Sequence, residues 1–223
     1  KQMSNIIDGK VVSAAVKERV AEQVKELNSK GVSVCLAVIL VGCDPASQIY
    51  VANKKKACEQ LRIIPKEYIL PENTTQKELV SLVEELNRDT AVNGILCQLP
   101  LPKGLDEKAV IAAISPEKDV DAFHPVNVGK IMIGDYDFLP CTPAGVMEML
   151  SYYNIDVNGK ECVVIGRSNI VGKPMAMLLL HKNGTVTICH SRTKNLSETA
   201  RRADILIAAV GKAKFVTADM VKE

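Results

Sequence analysis

The sequence predicts an α/β protein made of two parallel-sheet domains. Three observations carry this: short, continuously apolar runs, amphipathic helical segments alternating with them, and a proline-rich stretch that separates two such series. The domains are accordingly placed at residues 1–140 and 141–223. Over residues 8–31, Val16, Val20, Val24 and Leu27 recur at helical spacing, and Gly31 suits the position just past a helix end. Residues 34–41 are apolar throughout and rich in β-branched side chains, as expected of a parallel strand covered on both faces. Residues 42–45 break that strand, and Ala46, Ile49, Tyr50, Asn53, Ala57 and Leu61 trace the next helix. A short strand follows at 66–70. Thr75 and Glu78 then form a capping box that opens a helix through Leu79, Leu82, Val83 and Leu86, and residues 94–99 read as another strand.

Residues 100–143 hold six of the ten prolines, and only 105–114 reads as helical within them. The remainder, 119–138, mixes glycine, aspartate and aromatics and is expected to be an ordered connecting loop. A helix from about residue 144 to 153 leads into the second series, with strands at 161–165, 185–189 and 204–210.

Composition excludes several functions. Among 223 residues, Lys and Arg total 28 against 26 Asp and Glu, so the net charge of +2 gives no electrostatic footprint for nucleic acid. The longest apolar run, 34–41, is far short of the roughly 18 residues that cross a bilayer. No secretory leader is expected, and the reading is a cytoplasmic protein. The seven cysteines form no C-x-x-C pair and have no zinc-like spacing with His124, His181 or His190, so they are expected to be reduced, mostly buried hydrophobes, with no metal site.

The strongest ligand signal is the run from Val163 through Gly166, Arg167, Ser168 and Gly172 to Pro174, a strand passing through a glycine-containing turn into a helix. Such a turn aims backbone N–H groups at a phosphate. It is not a clean G-x-G-x-x-G, because Ser168 stands at the second glycine and the closing glycine comes one residue late; a plain tight turn, with Gly172 allowing close packing, is the competing reading. After the next strand, where an NAD enzyme would place a carboxylate for the ribose hydroxyl, this chain has His190, Ser191, Arg192 and Thr193. A hydroxyl and an arginine suit a 2′-phosphate, which favours NADP, with Arg167 as a second cation.

In the first domain, Tyr50 and Lys54 lie one above the other on a helix face, and the strand ending at Cys97 delivers the Gln98 amide to the same sheet edge. An amine oriented by a neutral amide can move protons, but a lysine within the run 54–56 is by frequency more often simply solvated. Asp119 and Asp121 either accept hydrogen bonds from a nitrogen-rich ring or cap a turn, and the residues alone leave both open.

Six motifs in order then carry a resemblance over nearly the whole chain: residues 7–10; 41–54, with Ser47, Tyr50 and Lys54; 94–102, with Gln98 and the Leu-Pro-Leu-Pro that follows; 118–121; 140–145; and 164–174. Together they resemble the bifunctional methylenetetrahydrofolate dehydrogenase/cyclohydrolase family. The resemblance implies a Rossmann-type second domain and NADP-dependent oxidation of 5,10-methylenetetrahydrofolate, followed by hydrolysis of the methenyl product to 10-formyltetrahydrofolate, in one cleft of a homodimeric enzyme. It further implies Lys54 as the acid/base of hydrolysis, Gln98 as its partner, Tyr50 stacking on the folate, Asp121 holding the pterin and Ser47 contacting substrate. Gly166, Arg167, Ser168, Gly172, Ser191 and Arg192 would hold NADP.

The family usually has glycine where this chain has Ala122. Its further Rossmann strand, Pro/Gly loop and final helix are not found before residue 223, so a longer polypeptide is expected, with Met3 as its native start. A shikimate-dehydrogenase-like NADP oxidoreductase and a non-catalytic NADP-binding module are the alternatives.

Overall fold

The computed structural model describes residues 5–222, so the expectation about Met3 lies outside the described residues. Among the described residues, contacts divide the chain into two compact units, one spanning 13–126 and the other joining residues 5–12 to residues 127–222. Residues 127–140, assigned from sequence to the first domain, thus pack with the second sheet. The expected boundary at 140 separated them because no apolar periodicity marked their partner.

The first unit contains most of α1 (Gly9–Ser29), then β1 (Cys35–Val41), α2 (Pro45–Gln60), β2 (Ile64–Leu70), α3 (Gln76–Arg88), β3 (Gly94–Cys97) and α4 (Glu107–Ala113). The sheet order is β2-β1-β3, all parallel. Successive β1 side chains point to opposite faces, so one apolar strand supplies two cores. Ala37, Ile39 and Val41 meet Leu79, Val83 and Leu86 of α3, while Val38 and Leu40 meet Val51 of α2. The capping box forms as expected: Thr75 Oγ1 accepts from Glu78 N at 3.2 Å, and Thr75 N donates to Glu78 Oε2 at 2.8 Å. Beyond α4 the chain runs back beside β3, where Ile95 N donates to Lys118 O at 2.7 Å and Ile95 pairs with Asp119. That pairing brings residues 119–121 to the C-terminal edge of the sheet.

The second unit contains α5 (Pro125–Ile133, which begins in the first unit), α6 (Cys141–Tyr152), β4 (Glu161–Ile165), α7 (Gly172–His181), β5 (Thr185–Cys189), α8 (Leu196–Arg201), β6 (Ile205–Ala208) and a short 3-10 turn at Ala218–Met220. Its sheet is parallel in the order β5-β4-β6. Helix α5 replaces part of the expected loop. Val126, Val128 and Gly129 are poor helix formers, so its local signal is weak. Pro125 tolerates a helix start, Ile131 is buried, and the Ile131 carbonyl contacts His181 Nε2 at 2.7 Å.

Strand β6 stops at Ala208, two residues short of expectation, and the chain beyond it does not leave the core bare. Phe215, Val216 and Met220 pack against Val163, Ile165 and Cys189, and Arg201 Nε donates to Asp219 O at 2.8 Å. Five cysteines are buried, while Cys43 and Cys141 are exposed. No helix among the described residues is long and apolar enough to cross a membrane.

Candidate active site

In the first unit the loop after β1 opens α2. Asp44 caps that helix by accepting from Ser47 N at 2.8 Å, and Pro45 fits its first turn. Ser47 is buried, while Tyr50, one turn before Lys54, is 62% exposed. Of the three consecutive lysines, Lys55 and Lys56 are exposed and Lys54 is partly buried, which already sets it apart. Parallel register puts Cys97 opposite Ile39, and Gln98 N extends the ladder by donating to Ile39 O at 2.8 Å. The next side chain therefore arrives beside α2: Lys54 Nζ donates to Gln98 Oε1 at 2.9 Å.

Gln98 Nε2 donates to Leu99 O at 2.7 Å, which fixes the amide with its oxygen toward the amine. The adjoining bond, Leu99–Pro100, is cis, and Leu101 N donates to Glu107 Oε1 at 3.0 Å. A cavity of about 320 Å³ lies at the same edge, lined by 41–45, Glu72 and 100–102.

Asp121 shares this electrostatic neighbourhood. Burial pushes its carboxyl above the usual carboxylate range, the Lys54 charge opposes that rise, and the Asp119 carboxylate adds to it. Burial likewise pushes the Cys97 thiol up to about 12, with Asp121 and Glu107 reinforcing the shift. The turn presenting Asp121 is held by Asp119, itself buried, whose Oδ2 accepts from His124 N at 2.8 Å and whose carbonyl accepts from Ala122 N at 3.1 Å. Ala122 is buried at φ +55°, the left-handed conformation glycine favours, so the alanine keeps a glycine-type turn at a cost of about 1–2 kcal/mol.

In the second unit, β4 is followed by Gly166, where φ is +132° and a side chain would run into the Ala209 carbonyl. A Cβ on Gly172 would strike the Gly166 carbonyl oxygen and come within 2.8 Å of Arg167 N. Both glycines are therefore sterically required, and the tight-turn reading of Gly172 holds irrespective of any ligand. Ser168 Oγ accepts from Val171 N at 3.1 Å and Gly172 N at 3.2 Å, so this hydroxyl serves the start of α7. Arg167 is exposed beside it.

Gly166 N donates to Cys189 O at 2.8 Å, which aligns the end of β4 with the end of β5. The turn after β5 is closed by His190 N donating to Thr193 Oγ1 at 2.8 Å and by Arg192 N donating to His190 Nδ1 at 3.1 Å; Ser191 and Arg192 are exposed on it. A groove of about 630 Å³ between the α6 and α7 ends includes Glu148, Asp156 and His181 but none of the expected site residues.

Sequence reasoning found the Lys54–Gln98 pair and the glycine turn. It missed Glu107, because a residue at the start of a surface helix, six positions from the amide it holds, carries no distinctive spacing.

A parallel sheet with an amine–amide pair at its C-terminal edge, together with a second parallel sheet carrying a glycine-turn edge, defines a two-unit α/β protein of the dinucleotide-dependent enzyme class. The family model described as tetrahydrofolate dehydrogenase/cyclohydrolase, catalytic domain, matches residues 7–121, and the NAD(P)-binding domain of the same family matches residues 140–223. The chain belongs to the tetrahydrofolate dehydrogenase/cyclohydrolase family.

It is 59% identical over 219 residues to the "Bifunctional protein FolD" of Acetivibrio thermocellus, covering 98% of this chain and 77% of that one. The crystal structure of the FolD methylenetetrahydrofolate dehydrogenase/cyclohydrolase of Campylobacter jejuni superposes with a TM-score of 0.95 at 51% identity, covering 98% of this chain and 78% of that one. The Trypanosoma brucei enzyme, solved with NADP cofactor and inhibitor, gives a TM-score of 0.92 at 36% identity, covering 98% and 76%. Likeness to the shikimate dehydrogenase of Thermus thermophilus, at 18% identity and a TM-score of 0.53 over 85% of this chain and 75% of that one, is likeness of fold alone.

Proposed function

We propose that this chain oxidises 5,10-methylenetetrahydrofolate with NADP and hydrolyses the resulting 5,10-methenyltetrahydrofolate to 10-formyltetrahydrofolate. The observation that carries the reading is the Lys54–Gln98 hydrogen bond at 2.9 Å, at a strand edge in a chain of this family. NADP supplies the hydride acceptor when bound. Gly166 and Gly172 suit it because they keep the turn free of side chains, while Ser191, Arg192 and Arg167 offer a hydroxyl and two cations to phosphate.

Oxidation asks mainly for positioning, which falls to Tyr50 stacking on the folate, Ser47 at the helix start and Asp121 accepting from the pterin. Hydrolysis requires proton transfer. Water adds to the methenyl carbon, Lys54 takes a proton from it and returns one to the folate nitrogen N5 as the carbon–N5 bond breaks, and one proton is released overall. Gln98 orients the amine without neutralising it, because its own amide is held by Leu99 O. Asp119 and the left-handed Ala122 hold Asp121 in place.

A cytoplasmic location and a homodimer belong to the same proposal; the first is supported by the buried free thiols, the second by the edge strands β5 and β6, neither of which has a further strand beside it among the described residues. The test follows methenyltetrahydrofolate absorbance and, separately, NADPH formation from methylenetetrahydrofolate. Turnover in both is expected, and a chain that reduces NADP only with shikimate would overturn the reading.

A further inference from the structure

We infer that Glu107 is a positioning residue for hydrolysis, acting on Lys54 through the backbone that follows Gln98; the inference rests on the function proposed above. Proline has no N–H, so within Pro100-Leu101-Pro102 the amide of Leu101 is the one backbone donor available to anchor the segment. Glu107 takes that donor at 3.0 Å. Two residues earlier, Leu99 O accepts from Gln98 Nε2 at 2.7 Å, and Gln98 Oε1 accepts from Lys54 Nζ at 2.9 Å. The amine is therefore oriented by an amide, the amide by a carbonyl, and the segment bearing that carbonyl is tied down by a carboxylate.

Glu107 is itself held firmly. It is the first residue of α4, whose cap Asp106 accepts from Lys108 N at 2.9 Å and Ala109 N at 3.2 Å, while Asp106 N donates to Gln76 Oε1 on α3 at 2.8 Å. Val110, one turn into α4, is fully buried against the α3 core. An exposed first-turn glutamate would ordinarily face solvent; here it is partly buried and turned back onto the loop. Without the tether the segment keeps only the packing of Leu101 against the core, so Leu99 O can shift, the Gln98 amide can rotate, and its N–H₂ end rather than its oxygen can face the amine. That rotation takes the acceptor away from the protonated amine and, when the amine is neutral, occupies the lone pair it needs as a base, while leaving the folate and NADP contacts in place.

The experiment compares Glu107→Ala, Glu107→Gln and Lys54→Met in the same protein, measuring hydrolysis, dehydrogenation and thermal midpoint for each. Glu107→Ala is expected to lower kcat for hydrolysis by about ten- to a hundredfold, the scale of a misplacement near 1 Å, with KM changed less than about twofold and dehydrogenation largely kept. Glu107→Gln retains an acceptor oxygen for Leu101 N and should restore hydrolysis to within about threefold of the parent. Unchanged hydrolysis in Glu107→Ala, a parallel loss of both activities, or a Gln variant as impaired as the Ala variant overturns the inference. Wild-type hydrolysis in Lys54→Met instead overturns the reading on which it rests, so the two failures are distinguishable.

Discussion

Replacing Lys54 by methionine removes one amine and keeps an apolar stem of similar length, so it isolates proton transfer from packing. Structurally the loss is a single hydrogen bond, the 2.9 Å contact to Gln98 Oε1. A charged hydrogen bond contributes about 1.5–3 kcal/mol. Here the amine is only partly buried and Gln98 keeps its second partner at Leu99 O, so the stability loss belongs at or below the low end of that range. The catalytic loss is larger: a positioned general acid/base accelerates a step by about 10²–10⁴, equivalent to roughly 2.7–5.4 kcal/mol of barrier. Hydrolysis, followed as the loss of methenyltetrahydrofolate absorbance at saturating substrate, should therefore fall by at least about a hundredfold. The thermal midpoint should move by only a few degrees, at about 2–4 °C per kcal/mol for a chain of this size. NADP reduction with methylenetetrahydrofolate should persist. Hydrolysis at the parent rate would refute the assignment of proton transfer to Lys54. A midpoint collapse with equal loss of both activities would instead mark it as a folding residue.

Arg192→Gln should weaken NADP by about 1.5–3 kcal/mol, roughly ten- to 150-fold, with little effect on NAD, as read by titration of each cofactor; equal effects would shift the 2′-phosphate role to Arg167. Burial raises the Asp121 carboxyl, so its contribution to stability is complete below the ordinary carboxylate range and is lost as pH rises through its elevated folded-state value. Asp121→Asn should thus melt no lower than the parent at pH 7, with an advantage that shrinks on acidification, while folate affinity drops; a variant that melts lower at pH 7 than at acid pH relative to the parent contradicts this sign. Gly172→Ala forces the new methyl against the Gly166 carbonyl and should cost about 1–3 kcal/mol in thermal unfolding along with NADP affinity, and an unshifted melt would show that the turn can relax. Thiol labelling of the native protein should reach Cys43 and Cys141 first, and Cys97, pushed up to about 12, should stay unlabelled at pH 8.5 until unfolding; early modification of Cys97 would show that its site opens.

The local code was plainest where a residue's role depends on its immediate neighbours. The unbroken apolar run of β1 reports burial on both faces without reference to any partner, and Thr75 with Glu78 closes a cap within one turn. Gly166 and Gly172 were legible because close approach of backbone to backbone admits no other residue. Helix α5 was not legible, since its valines and glycine encode no strong helix and the packing of Ile131 and contact with His181 select it. Ser168 was recognisable as part of the turn, but only the fold reveals that its hydroxyl is engaged by the first amides of α7.

The separation between what the chain states and what folding decides is sharpest at Lys54. Apolar periodicity placed it on a helix leaving a strand end, and the order of motifs placed the chain in its family, because both are properties of residues near one another in sequence or in fixed order. Which of three consecutive lysines meets an acceptor depends on a partner 44 residues away, brought alongside by the parallel register of β1 and β3, and only once that pair has met does the neighbouring Leu99 carbonyl set the Gln98 oxygen toward the amine. Glu107 enters the same chain of contacts only because α3 clamps the start of α4. A hydrogen bond is satisfied over about 3 Å of space whatever the distance along the chain, so such contacts leave no period in the sequence and are settled by tertiary structure alone.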